Sequence, residues 1–143
     1  MFLHLLNTPQ KQAFFALATE MISADGIISD EEIDYMDRLA QEAGLHGDQS
    51  PGEGDGSRDM TVFNSRESKI ACALELLILA VVDGKFHIKE SAFAIDIIDM
   101  LDLDEPTHDA LCGITNDAIG ILKTMQALID TPPADPTAAD SAA

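Results

Sequence analysis

Apolar residues recur every three or four positions through most of the chain, which predicts helices, and no segment alternates as a strand would. The first helix is predicted to begin with Thr8 as its N-cap and to end at Asp25-Gly26, because glycine adopts the left-handed backbone that closes a helix. A second helix is predicted from Ser29 to Gly44, with Ser29 and Glu32 forming a capping box. Its predicted core-facing residues are Ile33, Met36, Leu39, Ala40 and Ala43.

The same arrangement follows in the second half of the chain. Asn64 or Ser65 is predicted to cap a third helix, which runs through the longest apolar segment to Val82 and is expected to be the central buried helix. Asp83-Gly84 then turns the chain into a fourth helix. The core-facing residues of this fourth helix are predicted to be Phe93, Ile97, Ile98 and Leu101, with Asp96, Asp99 and Asp102 facing solvent.

Beyond Leu103 the helical signals are shorter. Asp104-Glu105-Pro106 predicts the start of one helix, which continues through Cys112, and Thr115-Asn116-Asp117 predicts the cap of another that reaches Ile129. Residues 46–64 are rich in Gly, Asp, Ser and Glu and are predicted to form a flexible acidic loop, and residues 131–143 a disordered tail. The sequence therefore predicts one all-α domain over residues 1–130, a bundle of about six to seven helices.

An acidic corner occurs twice between these helices. Asp25-Gly26 is followed by Glu32, and the same pattern returns 58 positions later as Asp83-Gly84 followed by Glu90. A repeat at a fixed offset indicates duplication of a supersecondary unit. We therefore expect two pseudo-symmetric helix-turn-helix halves.

The charge balance narrows the possible partners. Lys and Arg number 8 against 26 Asp and Glu, which gives a net charge of -18 and disfavours nucleic acids and anionic lipids. Cations or basic protein surfaces remain suitable partners, and such acidity also suits a salt-rich host. The apolar start at residues 1–6 is too short to span a bilayer, and the two cysteines lack ligand spacing. A cytoplasmic protein without direct membrane insertion is expected.

Each corner matches the second half of an EF-hand calcium loop, in which Asp-Gly precedes Glu at a fixed distance. The first half of that pattern is missing. Where an EF-hand places acidic ligands, this chain has Met21 and Ser23 in one copy, and Leu79 and Val81 in the other. Apolar side chains do not coordinate a hard cation, so neither corner is an ordinary EF-hand.

The duplicated corners resemble the TerB-like family, whose helical domains are associated with tellurite resistance and also precede the J domain in some co-chaperones. The resemblance covers roughly residues 10–129. It is carried by Ala24 to Glu32 with Leu39 and Gly44-Leu45, and by Val82 to Phe86 with Glu90 and Leu103. It implies a non-enzymatic, stress-associated helical bundle with pseudo-twofold halves, whose acidic corners bind a divalent cation or a protein partner.

Carried over position by position, the resemblance implies a metal site that could hold Ca²⁺, Mg²⁺ or Mn²⁺. Its candidate ligands are Asp25, Glu31, Glu32, Asp83 and Glu90. The second corner departs from the first, because Lys89 stands at the position of Glu31. Three interpretations follow: the first corner binds a cation mainly alone, with Asp30 contributing; the lysines of the second corner neutralise it; or the acids serve helix capping only.

The remaining candidates are weaker. The four histidines are scattered without short ligand spacing, the methionines fall at core-periodic positions such as Met100 and Met125, and no nucleophile motif is present. The protein is therefore predicted not to be an enzyme. A metal-free alternative is an interaction module or homodimer that uses the apolar N-terminal arm, although packing of this arm on its own bundle is favoured over an interface. The arm consists of Phe2, Leu3, Leu5 and Leu6.

Overall fold

The computed structural model describes residues 1–24, 26–45, 59–81 and 88–135, and every regular element in these ranges is helical. The α-helices are α1 (Thr8–Ile22), α2 (Asp30–Glu42), α3 (Arg66–Val81), α4 (Ile88–Met100) and α5 (Glu105–Asp130). Two short 3₁₀-helices span Leu3–Leu5 and Met60–Val62. The all-α prediction is confirmed, but the described ranges hold five α-helices rather than six to seven.

Local capping sets where most helices begin. Ser29 and Glu32 form the predicted capping box at the start of α2. Ser65 caps α3, since its Oγ accepts the Ser68 N–H at 3.1 Å while Ser68 Oγ accepts the Ser65 N–H at 3.2 Å. At α5 the Asp104 carboxylate accepts the N–H of Thr107 at 3.2 Å.

The start of α1 differs from the prediction by one residue. Asn7, not Thr8, is the N-cap, because its Oδ1 accepts the Gln10 N–H at 3.0 Å and Gln10 Oε1 accepts the Asn7 N–H at 2.9 Å. A Thr8 cap would have placed Lys11 at the reciprocal position. A lysine ammonium cannot accept a hydrogen bond, so only Asn7 completes the box.

Residues with positive φ end α2 and α4 at corresponding positions. Gly44 has φ 70° after α2, and Asp102 has φ 50° after α4. Leu45 N–H donates to Ala40 O at 3.0 Å, the closing bond of a Schellman motif. Aspartate is one of the few non-glycine residues that tolerates this backbone, so it can end α4 where glycine ends α2. Gly26 also has a positive φ, 78°, whereas Asp83 and Gly84 lie outside the described residues.

The core surrounds α3, which packs against α1, α4, α5 and the N-terminal 3₁₀-helix. Its apolar run is buried at most positions, as expected for the central helix. The largest fully buried apolar side chains are Phe14, Phe15, Phe63, Met21, Leu76, Leu79, Ile97, Ile98 and Leu101. In the described ranges no helix is both long and apolar enough to cross a bilayer.

The 58-residue spacing extends from the sequence to the helix boundaries. Both α2 and α4 have 13 residues, and α1 and α3 begin at Thr8 and Arg66, so each pair of helices is offset by 58 positions. Burial follows the same offset at pairs of core residues: Phe14 with Cys72, Ala18 with Leu76, Met21 with Leu79, and Leu39 with Ile97. Residues that lie 58 positions apart therefore have matching packing roles at these four pairs.

The C-terminal region forms one helix where two were predicted. The hydroxyl of Thr115, a predicted cap residue, donates to the Leu111 carbonyl inside the helix at 2.9 Å instead of capping a new one. Gly113 and Gly120 both lie within α5 without interrupting it. A glycine inside a helix weakens it by about 1 kcal/mol relative to alanine but does not end it.

The predicted loop and tail are described only in part. Residues 46–58 and 136–143 lie outside the described residues, and 131–135 are exposed. Within 59–64, Phe63 is buried in the core, and Gln10 Nε2 donates to the Val62 carbonyl at 3.0 Å. Phe63 and this hydrogen bond attach the chain to α1 just ahead of α3.

Several predicted core residues are exposed instead. Ile33 is 46% exposed, Met100 44% and Met125 56%. The N-terminal arm, in contrast, packs largely on its own chain, since Leu3 and Leu6 are each only 4% exposed while Leu5 is 48% exposed. The arm is therefore partly buried in its own chain, and Leu5 remains exposed.

Candidate functional site

The first acidic corner has a structural role at Glu32. This side chain is 2% exposed, its Oε2 accepts the Ser29 N–H at 2.8 Å, and Ser29 Oγ accepts the Glu32 N–H at 3.2 Å. Glu31 is exposed in the same turn, and Asp25 lies outside the described residues. The helix-capping interpretation therefore accounts for Glu32.

The second corner has the same register. Glu90 is 1% exposed and is the third residue of α4, as Glu32 is of α2, whereas Lys89 is exposed. Asp83 lies outside the described residues. Among the residues that the structure describes, His, Cys, Asp and Glu side chains form no group of three that could hold a metal ion. The described part of the chain thus brings none of the five predicted ligands into such a group.

A third buried carboxylate, Glu75 on α3, was not predicted as a functional residue. It is fully buried, and its Oε1 lies 2.7 Å from the N-terminal ammonium of Met1 and accepts a hydrogen bond from the Phe2 N–H. Its Oε2 has no hydrogen-bond partner among the described atoms. Because an unpaired buried charge is costly, the ammonium group supports the burial of Glu75 and holds the N-terminal arm on α3.

Glu75 also affects Tyr35 on α2. Burial raises the pKa of Tyr35 to about 12, and the negative charges of Glu75 and Glu42 add to this effect. The phenol therefore stays protonated at physiological pH, while Arg38 lies 5.7 Å from its ring centroid. The repeat contains a signal for Glu75: the equivalent position in the first copy is Leu17, a core residue, so an acid at this position is anomalous.

The two cysteines carry no activated thiolate. Burial raises the pKa of Cys72 well above its usual range. Burial also raises the pKa of Cys112, helped by the charges of Asp99 and Asp109. The Cys112 Sγ lies 3.9 Å from His108 Nδ1, but the thiol stays protonated at neutral pH and is a poor nucleophile.

The largest group of exposed apolar side chains among the described residues lies on the C-terminal part of α5. Its large side chains are 47–79% exposed: Ile114 47%, Ile121 61%, Met125 56%, Leu128 79% and Ile129 76%. With Ala118, the first four lie at alternating spacings of four and three residues, which places them on one stripe of the helix, as in a coiled-coil seam. We call Ile114, Ala118, Ile121, Met125 and Leu128 the α5 stripe.

A small apolar notch lies at the base of the α5 stripe. Its volume is about 20 Å³, and it is lined by Leu77, Ala80, Val81, Ser91, Ile114, Thr115 and Ala118. Ile114 and Ala118 belong to both the notch and the α5 stripe. The exposed surface of α5 therefore continues onto the end of α3.

Charge is sparse along this surface. Residues 114–130 contain two acids, Asp117 and Asp130, and one base, Lys123, although the whole chain carries a net charge of -18. Another apolar surface that meets the α5 stripe therefore encounters few charges within residues 114–130. Of the α5 stripe, sequence periodicity predicted a core position for Met125, because a helix that packs internally and one that exposes its apolar face share the same pattern.

No family model matches this chain, and no curated protein or solved structure matches it either. The candidate sites therefore rest on the geometry of the chain's own residues.

Proposed function

We propose that this protein is a non-enzymatic interaction module that binds a protein partner through the α5 stripe. The observation that carries the proposal is the exposure of Ile121, Met125 and Leu128, which are 56–79% exposed on one face of a continuous helix. Contiguous apolar surface of this kind, bordered by polar residues, is typical of protein–protein interaction sites. Binding through it would be driven by removal of apolar surface from water, at roughly 25 cal/mol per Å².

The resemblance to TerB-like proteins is part of this proposal. It supplies the expected setting, a stress-associated helical domain in the cytoplasm that works by binding rather than by catalysis. The two free cysteines fit a reducing compartment. A pseudo-twofold arrangement of the α1–α2 and α3–α4 halves is likewise proposed, and it is supported by their shared 58-residue offset.

The test compares partner capture by the natural chain and by a variant with an interrupted α5 stripe. Ile121→Asp/Leu128→Asp places two charges on exposed positions of the stripe, whereas Ala127→Asp adds a charge to another face of the same helix. Each immobilised protein is incubated with an extract of its own organism, and bound proteins are identified by mass spectrometry. We expect specific partners with the natural chain and with Ala127→Asp, but not with the double variant. The same partners on all three proteins would contradict the proposal.

A second candidate function is divalent-cation binding at the acidic corners, through Asp25, Glu31, Glu32, Asp83 and Glu90. The repeated placement of acids favours it, since Glu32 and Glu90 stand at the third position of equivalent helices, and carboxylates are the ligands that hard divalent cations prefer. A cation that binds only the folded state would raise the melting temperature.

The cation proposal is tested by melting the protein with Ca²⁺, Mg²⁺ or Mn²⁺ against chelator. A cation bound at the corners should raise the melting temperature of the natural chain and of Glu67→Gln, a control on α3, and the rise should shrink in Glu90→Gln. Identical shifts in all three proteins would indicate nonspecific binding. No shift at millimolar metal would rule out a site of useful affinity.

A further inference from the structure

We infer that the α-amine of Met1 is a modification site, and that its acylation by an acyl thioester releases the N-terminal arm from α3. The observation that carries this inference is the ion pair between the amine and Glu75, a fully buried carboxylate whose Oε1 lies 2.7 Å from the Met1 nitrogen. The inference concerns the N-terminal arm alone and does not depend on the proposed function of the α5 stripe.

Glu75 stands at a position that otherwise suits an apolar side chain. Its neighbours Cys72 and Leu76 on α3 are both fully buried, and the residue 58 positions earlier is Leu17, which is 4% exposed. A carboxylate in such surroundings is costly unless an opposite charge and hydrogen bonds compensate it. The acid at position 75 therefore makes a compensating cation necessary inside the fold.

The N-terminal ammonium is that cation. It pairs with Glu75 Oε1, and the Phe2 N–H donates a hydrogen bond to the same oxygen. Among the described residues, no lysine or arginine side chain pairs with Glu75. Lys and Arg number only 8 against 26 Asp and Glu in the whole chain, so a replacement cation is scarce. The burial of Glu75 thus depends on a charge at the Met1 nitrogen.

The same ion pair helps to dock the N-terminal arm. Leu3 and Leu6 are each 4% exposed, and the 3₁₀-helix between them packs on α3. Within it, the Leu5 N–H donates to the Phe2 carbonyl and the Leu6 N–H to the Leu3 carbonyl, both at 3.0 Å. Docking therefore combines burial of two leucines with one buried ion pair. Of these, only the ion pair is sensitive to chemistry at the Met1 nitrogen.

Acyl transfer removes the charge on this nitrogen. The ammonium loses one proton to solvent, and the free amine attacks the carbonyl carbon of the thioester. The new C–N amide bond forms, the C–S bond breaks, and the thiol leaves with the second proton. The amide that results is neutral, as in N-terminal acetylation generally. Glu75 is then a buried charge without a cation, and release of the arm relieves this cost by admitting water.

The first test measures docking of the arm in the unmodified and Nα-acetylated full chains. Both are expressed, with or without an N-terminal acetyltransferase, and are checked by intact mass. Hydrogen exchange of the Leu5 and Leu6 amides, followed by NMR, should be at least about tenfold faster in the acetylated chain, because the released arm loses its protection. Amides in the middle of α4 are the internal control and should not change. Equal exchange of the arm in both chains would overturn the inference.

The second test asks whether the effect of acetylation passes through Glu75. Glu75→Leu introduces the residue type found at the equivalent position 17, so its arm needs no cation and should stay docked in both forms. Glu75→Gln removes the charge while keeping the shape of the side chain. In both variants acetylation should change exchange of the arm by less than about twofold. The same acceleration in the natural chain and in both variants would overturn the inference.

The third test identifies the state of the Met1 nitrogen in the natural protein. The protein is isolated from its own organism, and its first peptide is analysed by mass spectrometry. Molecules with an acylated Met1 nitrogen would support the inference. A nitrogen that is always free, or always joined to a preceding residue, would overturn it.

Discussion

The two halves of α5 share one sequence pattern but have opposite environments. In the first half, Thr107, Leu111 and Thr115 are buried against the rest of the bundle, whereas no residue from 116 to 130 is buried. The α5 stripe continues the spacing of the buried residues, with Leu111, Ile114 and Ala118 in succession. The comparison teaches that periodicity specifies which face of a helix is apolar but not what covers that face.

The first half is also attached to the bundle by polar contacts. Arg66 Nη2 on α3 donates to Thr107 Oγ1 at 3.0 Å, and His108 Nε2 lies 2.5 Å from Asp99 Oδ1 on α4. In the second half the described side-chain hydrogen bonds are local, such as Thr124 Oγ1 to the Gly120 carbonyl at 2.9 Å. The second half thus depends on its own helical bonds and on any partner.

Replacing one leucine by alanine in each half of α5 should give the largest difference between the halves in the free energy of unfolding. Leu111 is 3% exposed, so Leu111→Ala should lower the free energy of unfolding by about 2–5 kcal/mol through lost burial and a cavity. Leu128→Ala should change it by less than about 0.5 kcal/mol, because the side chain is 79% exposed. Urea denaturation measures both values. Equal losses would show that the second half belongs to the same cooperative core.

Replacing one glycine by alanine in each half of α5 should change stability by less than the loss of Leu111 does. A Cβ added at Gly113 or Gly120 meets no atom within 4 Å, so alanine should stabilise the helix by about 0.5–1 kcal/mol at either position. Gly113→Ala should raise global stability, measured by urea denaturation. Gly120→Ala should instead slow hydrogen exchange of the amides around it with little change in the unfolding midpoint. If Gly120→Ala raised global stability as much as Gly113→Ala, the two halves of α5 would unfold together and would not differ in the way proposed.

The smallest expected effect is a pH dependence confined to the first half. The hydrogen bond with Asp99 raises the pKa of His108, and Asp109 contributes in the same direction. A folded pKa above the ordinary value of about 6.5 means that this stabilisation is complete below about pH 6.5 and is lost as pH rises through the folded pKa.

Urea midpoints measured from pH 5.5 to 8.5 check this dependence. The midpoint of the natural chain should decline towards the alkaline end, and His108→Gln should flatten that decline. The control is His4→Gln, which changes an exposed histidine in the N-terminal arm. Its urea midpoint should decline with pH as that of the natural chain does. An unchanged slope in His108→Gln would show that the contact with Asp99 does not stabilise the start of α5.

Local signals made much of the fold predictable. Ser29 caps α2 as predicted, Ser65, one of two predicted alternatives, caps α3, and α5 begins where Asp104-Glu105-Pro106 predicted a helix start. Gly44 ends α2 as predicted. Each of these features is decided by hydrogen bonds within a few residues. The predicted N-cap of α1 was wrong by one residue, because Asn7 and Thr8 are both residue types that cap helices well. Only the residue three positions later distinguishes them: Gln10 can return a hydrogen bond to Asn7, whereas Lys11 cannot return one to Thr8. The break predicted near Thr115 failed for a similar reason, since a threonine hydroxyl can also bond back inside a helix.

The candidate sites were less predictable. The repeat identified Glu32 and Glu90 as a corresponding pair, and both are buried at the third position of their helices. Glu75 was not predicted as a functional residue, because its role depends on Met1 and Phe2, which lie more than 70 positions away along the chain. Ile33, Met100 and Met125 were assigned to the core because their spacing matches that of buried residues, and spacing alone does not reveal whether a neighbouring helix is present.

The sequence by itself determined the helical class and most helix boundaries, since these follow from capping chemistry and side-chain periodicity. Tertiary structure alone decided which apolar faces are covered. The bundle around α3 covers the first half of α5 but not the second, so Leu111 is a core residue and Leu128 an exposed one on the same helix. The physical reason is that burial depends on contacts between elements distant in sequence, whereas the propensity to form each element is local.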